Sequence, residues 1–343
     1  MHVAVTGGAG YIGSELVSQL LTSGYFVTII DRLFFGKDVI SDLFTSYGDR
    51  LRLVKKDIRD LVAHDLHGVD AVVDMASLSN DPAGDLDPDI TFGINKLGRF
   101  NVATRAREAG VKRYVLASSC SVYGDSRGKV VDESSRVLPQ SVYASANAEA
   151  EGLVLSLNSP EFCVTCLRQA TVFGLSRRMR FDLVVNIMTK TAFETGTINV
   201  LGGGNQWRPL VDIRDTARAF VETLRADQSL VAGEIFNVGS DVNNLSVKSI
   251  AYIVRDSLPL ACDVNVIPSD EDRRDYRVSF QKIGMSLGFF AKYSVGESVV
   301  DLYNALKLGA IQTDISTVTV KWYKQLIDMK RTLDELCIDG RLL

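Results

Sequence analysis

Three glycines near the start of the chain constrain its fold more than any other feature. The segment TGGAGYIG, residues 6–13, lies between an apolar run that reads as a strand, HVAVTG, and a run that reads as a helix, YIGSELVSQLLTSG. Glycine at position 7 permits the tight turn, at position 10 it lets backbone approach a pyrophosphate, and at position 13 it allows close helix packing. The helix N-terminus then faces the anionic phosphates. In this strand–turn–helix context the spacing implies a dinucleotide site built on Gly7, Gly10, Tyr11, Ile12 and Gly13.

The rest of the first half repeats that rhythm. FVTIID, LRLVKKD, DAVVDMA, RYVLASS and FCVTCLR read as short buried strands rich in Val, Ile and Leu. Between them, PDITFGINKLGRFNVATRAREAG and SVYASANAEAEGLVLSLN read as helices, the first ending at Gly110 as a C-cap. Strand, helix and strand in succession imply parallel pairing through right-handed crossovers. The expected fold is α/β, a Rossmann doubly wound parallel sheet with a smaller, interwoven C-terminal substrate lobe. Residues 1–172 are expected to form the nucleotide-binding domain, with parts of 205–240 returning to it, and 173–204 with 241–343 the second lobe. In that second lobe INVLG, RPLVDI, EIFNV and DVNVIP are strand candidates. Helices are expected around 181–195, 214–226, 246–257, 296–308 and 316–334. Ligands of such sheets bind at the carboxyl ends of the strands.

Asp31 closes the second strand, about twenty residues after the glycines. A carboxylate there accepts hydrogen bonds from ribose hydroxyls and repels a 2′-phosphate, which favours NAD over NADP. The adjacent Arg32 is the one feature that would accommodate the extra phosphate.

Composition excludes some classes of function. A formal net charge of −4 without a long basic run argues against a nucleic-acid surface. No apolar stretch reaches the ~18 residues that span a bilayer, and no charged segment followed by an apolar one opens the chain, so a cytoplasmic location is expected. Cys163 and Cys166 form a C-x-x-C, but with no second pair and only three His in the chain a zinc site is disfavoured. No metal is expected.

The glycine loop, KKDIRD at 55–60, SSCSVYG at 118–124 and Tyr143 together resemble the extended short-chain dehydrogenase/reductase family, and within it the nucleotide-sugar epimerases and dehydratases. The resemblance implies NAD as cofactor, a nucleotide-diphosphate sugar as substrate and a homodimer as the working state. It places Asp57 and Ile58 at the adenine, Ala76, Ser77 and Leu78 along the cofactor, and Asn95 behind the nicotinamide. Ser118, Ser119 and Ser121 would lie at the reacting end. There the Tyr143 phenolate takes a proton from a sugar hydroxyl while Ser119 hydrogen-bonds the same oxygen. Asn186, Arg208 and Arg274 would grip the diphosphate, the arginines through paired N–H donors; taken singly, each arginine reads equally as a surface ion-pair partner. The cluster SRRMR at 176–180 either attracts the anionic substrate or is a solvated loop.

Two departures stand out. The family carries a lysine four residues after the tyrosine, which holds the nicotinamide ribose and lowers the phenol pKa; here the sequence reads Tyr143-Ala-Ser-Ala-Asn147. An asparagine still hydrogen-bonds a ribose hydroxyl but supplies no charge. Three readings stay open: a natural modified site, a deliberate substitution, or a binding protein that has lost catalysis. If the missing lysine limits proton abstraction, Asn147→Lys should raise turnover; if the protein evolved around asparagine, the lysine should do nothing or do harm by crowding the ribose. The second departure concerns the Asp-Glu pair that follows the serine or threonine in the 4,6-dehydratases. Here Cys120 and Ser121 stand there, which disfavours that reaction and leaves Cys120 as either a small core filler or an acid/base group. The expected activity is an NAD-dependent nucleotide-sugar epimerisation through a 4-keto sugar. The alternatives are a dehydratase or C3/C5 epimerase using Cys120, or an impaired NAD-binding protein.

Overall fold

The computed structural model describes residues 1–268, 275–338 and 341. Seven parallel strands form the central sheet, in the spatial order Ile235–Val238, Cys163–Gln169, Arg113–Ser119, Ala71–Asp74, His2–Thr6, Phe26–Asp31, Leu51–Lys55. Apart from the edge strand Leu51–Lys55, their interiors are almost wholly buried, as near-continuous Val/Ile/Leu runs covered on both faces require. From His2–Thr6 the chain runs outward through two strands, then crosses back to Ala71–Asp74 on the other side. The order therefore reverses between Thr6 and Asp74, and a cleft opens above that point. Thr6 ties the two strand ends together: its hydroxyl donates to Asp74 and accepts from the amides of Met75 (3.0 Å) and Ala76 (3.1 Å).

The helix Tyr11–Thr22 buries Leu16, Val17, Leu20 and Leu21 on one face of the sheet, against Phe220, Val221 and Leu224 of the helix Ile213–Arg225. On the opposite face lies a second core, with Val102, Ala103, Ala106, Ala150 and Val154 packed on Val72, Tyr114, Leu116 and Val164. Two helices build that face. One runs from Pro88 to Glu108, with a π-helical turn over Gly93–Gly98 in its middle. The other, Val142–Leu155, is capped by Ser141, whose hydroxyl accepts from the Ala144 amide at 3.1 Å, a cap that contributes about 1 kcal/mol.

The expected α/β class and the interwoven second lobe are both present. Ile213–Arg225 and Ile235–Val238 return to the first sheet, and Ile283 and Phe289 join its core as well. Two small parallel pairings, Val130–Val131 with Arg277–Val278 and Thr197–Leu201 with Asp263–Ile267, lie outside the main sheet. A third core holds the second lobe, with Phe173, Val185, Leu210, Ile250, Val254 and Val299 at its centre. Strands Thr171–Phe173 and Asn244–Ser246, which sandwich Trp207–Asp212, were not among the sequence expectations; three residues carry too little alternation to read. Among the described residues no helix is long and apolar enough to cross a membrane.

Candidate active site

The cleft runs along the carboxyl ends of the strands, from Arg32 and Asp57 at one end to Ser119 and Tyr143 at the other. Its floor is the glycine turn. Gly7 has φ +68°, and a Cβ there would stand 2.9 Å from the Ala76 nitrogen; one on Gly13 would stand 2.1 Å from the Gly7 carbonyl oxygen. Only glycine fits either position. Gly10, Tyr11, Ile12 and Gly13 all border the cleft, so the turn forms the backbone cradle that a dinucleotide pyrophosphate requires.

At the outer end Asp31 is held by two backbone amides, Ala9 at 3.0 Å and Leu33 at 2.7 Å. Burial pushes its pKa up, and those amides pull it back down. Arg32 turns to Asp57, Nη1 to Oδ2 2.8 Å, and lies 4.6 Å over the Phe34 ring. Burial works against the Asp57 charge, yet Arg59 and Arg32 together hold its carboxyl below the usual range. Arg32 is thus already engaged with a carboxylate. Ile58 is buried at the same end.

Ala76, Ser77 and Leu78 form one wall. Asn95, fully buried, brackets Leu78: its Oδ1 accepts from the Leu78 amide at 2.8 Å and its Nδ2 donates to the Leu78 carbonyl at 2.9 Å. Asn95 therefore shapes the wall from behind, through Leu78.

At the inner end Ser118, Ser119, Ser121 and Tyr143 meet. Ser119 ends its strand and caps the following turn, its Oγ accepting from the Ser121 amide at 3.2 Å. The same side chain stands by the Tyr143 phenol and lowers its pKa. The Ser118 hydroxyl donates to Glu151, which is itself paired with Arg168. Burial raises the Tyr143 pKa; the largest opposing influence is the Arg99 guanidinium, followed by Ser119.

Four sequence expectations are placed differently by the structure. Asn147 does not border the cleft: it is 0 % exposed, its Oδ1 accepts from Arg99 Nη1 at 2.6 Å, and its Nδ2 donates to the Tyr143 carbonyl at 2.9 Å. Its amide faces Arg99 instead of a ribose. Cys120 points away from the cleft, 0 % exposed, with its thiol donating to the Arg168 carbonyl at 3.3 Å and burial pushing its pKa far up. It is a core filler and not an acid/base group. Asn186 is buried and committed, its Oδ1 to the Gly174 amide and its Nδ2 to the Tyr11 hydroxyl and the Arg180 carbonyl, so no donor remains for a phosphate. Arg208 is buried away from the cleft lining, with Nη1 donating to the Trp207 carbonyl at 2.8 Å. Arg274 lies outside the described residues.

Three buried cationic residues line the cleft, two of them from the basic cluster that the sequence left as either a substrate-attracting patch or a solvated loop. From the SRRMR cluster, Arg177 faces outward to Asp42 while Arg178 and Arg180 are buried in the cleft wall. Arg178 lies 3.6 Å over the Phe35 ring and donates to Thr319 at 2.9 Å; burial and the nearby Arg180 lower its pKa to about 10. Arg180 pairs with Asp182 at 2.9 Å. The alternation of outward 177 with inward 178–180 was not visible in a bare basic cluster. The third is Arg99, 1 % exposed. A signal for it existed: Asn95, Arg99, Val102, Ala103 and Ala106 share one helical stripe, and all are buried. From the far C-terminal helix, Tyr323 also reaches the cleft, and Trp322 donates to the Phe34 carbonyl at 2.7 Å. Among the described residues no three His, Cys, Asp or Glu side chains gather as metal ligands.

Comparison with known proteins agrees with this geometry. The UDP-glucose 4-epimerase of Mycolicibacterium smegmatis is 31% identical over 253 residues, 71% of this chain and 78% of that protein. The probable UDP-arabinose 4-epimerase 3 of Oryza sativa subsp. japonica is 28% identical over 327 residues, 85% of this chain and 79% of that one. The solved structure of MoeE5 in complex with UDP-glucuronic acid and NAD superposes with a TM-score of 0.78 at 25% identity, covering 90% of this chain and 100% of that chain. The sequence model of the NAD dependent epimerase/dehydratase family matches residues 3–239. With a glycine cradle, a carboxylate at one end and a Ser–Tyr pair at the other, all on one cleft, the chain belongs to the NAD-dependent epimerase/dehydratase family of Rossmann-fold enzymes and takes NAD as its cofactor.

Proposed function

We propose that this enzyme is a nucleotide-sugar 4-epimerase with Tyr143 as its base. The observation that carries the reading is that Ser119 and Tyr143 meet at the inner end of the NAD cleft, while the two positions after Ser119 hold a buried thiol, Cys120, and a neutral hydroxyl, Ser121. Gly7, Gly10, Gly13 and Asp31 would hold NAD⁺ in the cleft, where it would supply a reversible hydride acceptor for the sugar C4. Tyr143, as phenolate, takes the proton of the 4-hydroxyl and later returns it. Ser119 donates to the same sugar oxygen and so holds it against Tyr143. Asn95 keeps Leu78 in place along the cofactor. Arg178 and Arg180 give the cleft wall positive charge that suits phosphates. Water loss would need a proton donor and acceptor across C5 and C6; Ser121 is a neutral hydroxyl and Cys120 is buried away from the cleft.

The test is to incubate the NAD-loaded enzyme with UDP-glucose, UDP-glucuronic acid, a UDP-pentose and dTDP-glucose and follow each by proton NMR. A 4-epimer at unchanged mass is the expected product. A 4-keto-6-deoxy sugar, lighter by one water, overturns the reading, as does the absence of any turnover. A homodimer belongs to the same reading. The helix from Pro88 to Glu108 exposes Ile90 and, seven residues on, Leu97 (58 % exposed), apolar side chains suited to a helix bundle between two copies. Light scattering reads it directly.

A further inference from the structure

Asn147 stands where a cation is expected, and a cation nevertheless faces Tyr143. It comes from the neighbouring helix. The π-helical turn over Gly93–Gly98 inserts an extra residue per turn just before Arg99 and redirects the chain beyond it. Gly98 lets this turn sit against Ile58, whose side chain would be 2.9 Å from a Cβ. Arg99 then points into the cleft wall with Nε toward the Ala76 carbonyl at 3.3 Å and Nη1 on Asn147 Oδ1 at 2.6 Å. Arg99 lines the same cleft as Tyr143 and is joined through the Asn147 amide to the Tyr143 carbonyl; its charge is the largest influence lowering the phenol pKa. The other charged groups facing Tyr143 are Asp81 and Arg180. Behind Arg99, on the sheet side, stand Asp74, Tyr114 and Cys166.

Asn147 completes the arrangement. One end of its amide receives the guanidinium, and the other donates to the carbonyl of Tyr143 one turn earlier on the same helix. A lysine at 147 would aim an ammonium at that guanidinium. Arginine at 99 and lysine at 147 are therefore alternatives, not companions.

We propose that Arg99, locked by Asn147, supplies from the helix Arg99–Glu108 the positive charge that stabilises the Tyr143 phenolate, so that the pair Arg99/Asn147 stands in for a lysine at 147. This rests on the reading of Tyr143 as the base. Arg99 is a positioning residue: it acts through Tyr143. The departure at 147 is on this account a relocation of charge and not its loss.

The experiment titrates Tyr143 in the NAD-loaded enzyme by NMR with isotope-labelled tyrosine, its resonance identified by its disappearance in Tyr143→Phe. Arg99→Met should move the Tyr143 titration upward by about one pH unit or more and shift the turnover profile alkaline by the same amount, a loss of about tenfold or more at pH 7. Arg99→Lys should recover most of the shift. So should the double variant Arg99→Thr/Asn147→Lys, which moves the charge to the other helix. A folded, NAD-bound Arg99→Met whose Tyr143 titrates as in the parent overturns the proposal. Should Arg99→Met fail to fold, the double variant decides: a parental titration supports relocation, and a raised one overturns it. Failure of the epimerase reading looks different, with the titration shift intact and no sugar nucleotide turned over.

Discussion

Arg99 Nη1 lies 2.6 Å from Asn147 Oδ1, both side chains fully enclosed between two helices. That contact decides between the two expectations for Asn147→Lys. On the first, the lysine restores a missing charge and speeds the reaction. In the structure it sets an ammonium against a buried guanidinium and deletes the acceptor that held it. We expect the single variant to lose about 3 kcal/mol or more, the scale of an uncompensated buried charge, and to turn over more slowly than the parent. Denaturant midpoints and initial rates measure both; a faster, equally stable variant would contradict the geometry.

The pH dependence follows from Tyr143. Burial raises its pKa above the ordinary tyrosine value, and Arg99 and Ser119 recover part of the difference. A base with a raised pKa is in its working form only above that pKa, so its contribution is lost as pH falls. The rate should climb with pH through the neutral range, by about tenfold per unit where proton abstraction limits it. Tyr143→Phe should remove at least about a hundredfold of the activity and flatten the slope. A rate independent of pH between 6 and 9 would mean that another step or another base controls turnover.

Ser119 and Cys120 are chain neighbours with opposite surroundings. Ser119 faces the cleft beside Tyr143, whereas the Cys120 thiol is turned into the core toward Arg168. Ser119→Ala should lower kcat by about a hundredfold. Cys120→Ala should leave kcat within about threefold and cost about 1 kcal/mol of stability, since only a small buried group is removed. Alkylating reagents should leave Cys120 untouched in the folded protein. A Cys120→Ala variant as crippled as Ser119→Ala would reinstate the thiol as an acid/base group.

The fold was legible because its determinants are local. Runs such as Val3–Val5 and Val72–Val73 are buried on both faces, and an all-apolar run between turns says so directly. The position of the glycine loop and of Asp31 on the cleft was legible for the same reason: each is set by backbone or by one side chain at a fixed spacing. Arg99 was not, because its meaning depends on Asn147, 48 residues away, and on a π-helical turn that no periodicity reveals. Asn186 misled in the opposite way. A polar residue early in a second-lobe helix looks free, but three protein partners consume its amide once the chain folds. The arginines of SRRMR were visible as charge; which of them face inward is decided by packing around Met179 and Thr319.

Cofactor choice should follow Asp31. Its carboxylate is fixed by the Ala9 and Leu33 amides, so it cannot swing away from a 2′-phosphate, and Arg32 is tied to Asp57. Protein denatured after purification should release NAD(H), and NADP should bind at least about tenfold more weakly. Asp31→Ser should narrow that gap while weakening NAD itself, because ribose acceptors and two loop hydrogen bonds are lost together. A parent protein that releases mostly NADP would refute the role assigned to Asp31.

Glu151 links stability to the reacting end. Its carboxylate accepts from Arg168 Nε at 3.0 Å and Nη2 at 2.7 Å, while the Ser118 hydroxyl, at the cleft, donates to it from the other side. Arg168 Nη1 continues to the Tyr123 hydroxyl at 2.9 Å, which donates to Asn237 at 2.8 Å. Burial disfavours the Arg168 charge, and Glu151 with Tyr123 more than offsets it. Glu151→Ala therefore strands a guanidinium that is 5 % exposed, with an expected cost of about 3–5 kcal/mol. Glu151→Gln keeps the shape and one acceptor oxygen, so its cost should be smaller, while Ser118 must find a new partner. Because Ser118 adjoins Ser119 at the strand end, the glutamine variant should also raise the KM for NAD or the sugar nucleotide by several-fold, with kcat less affected. Denaturation midpoints and steady-state kinetics on both variants separate the two effects. Equal stability of Glu151→Ala and the parent would show that the Arg168 charge finds other partners, and that this buried network does not anchor the reacting end of the cleft.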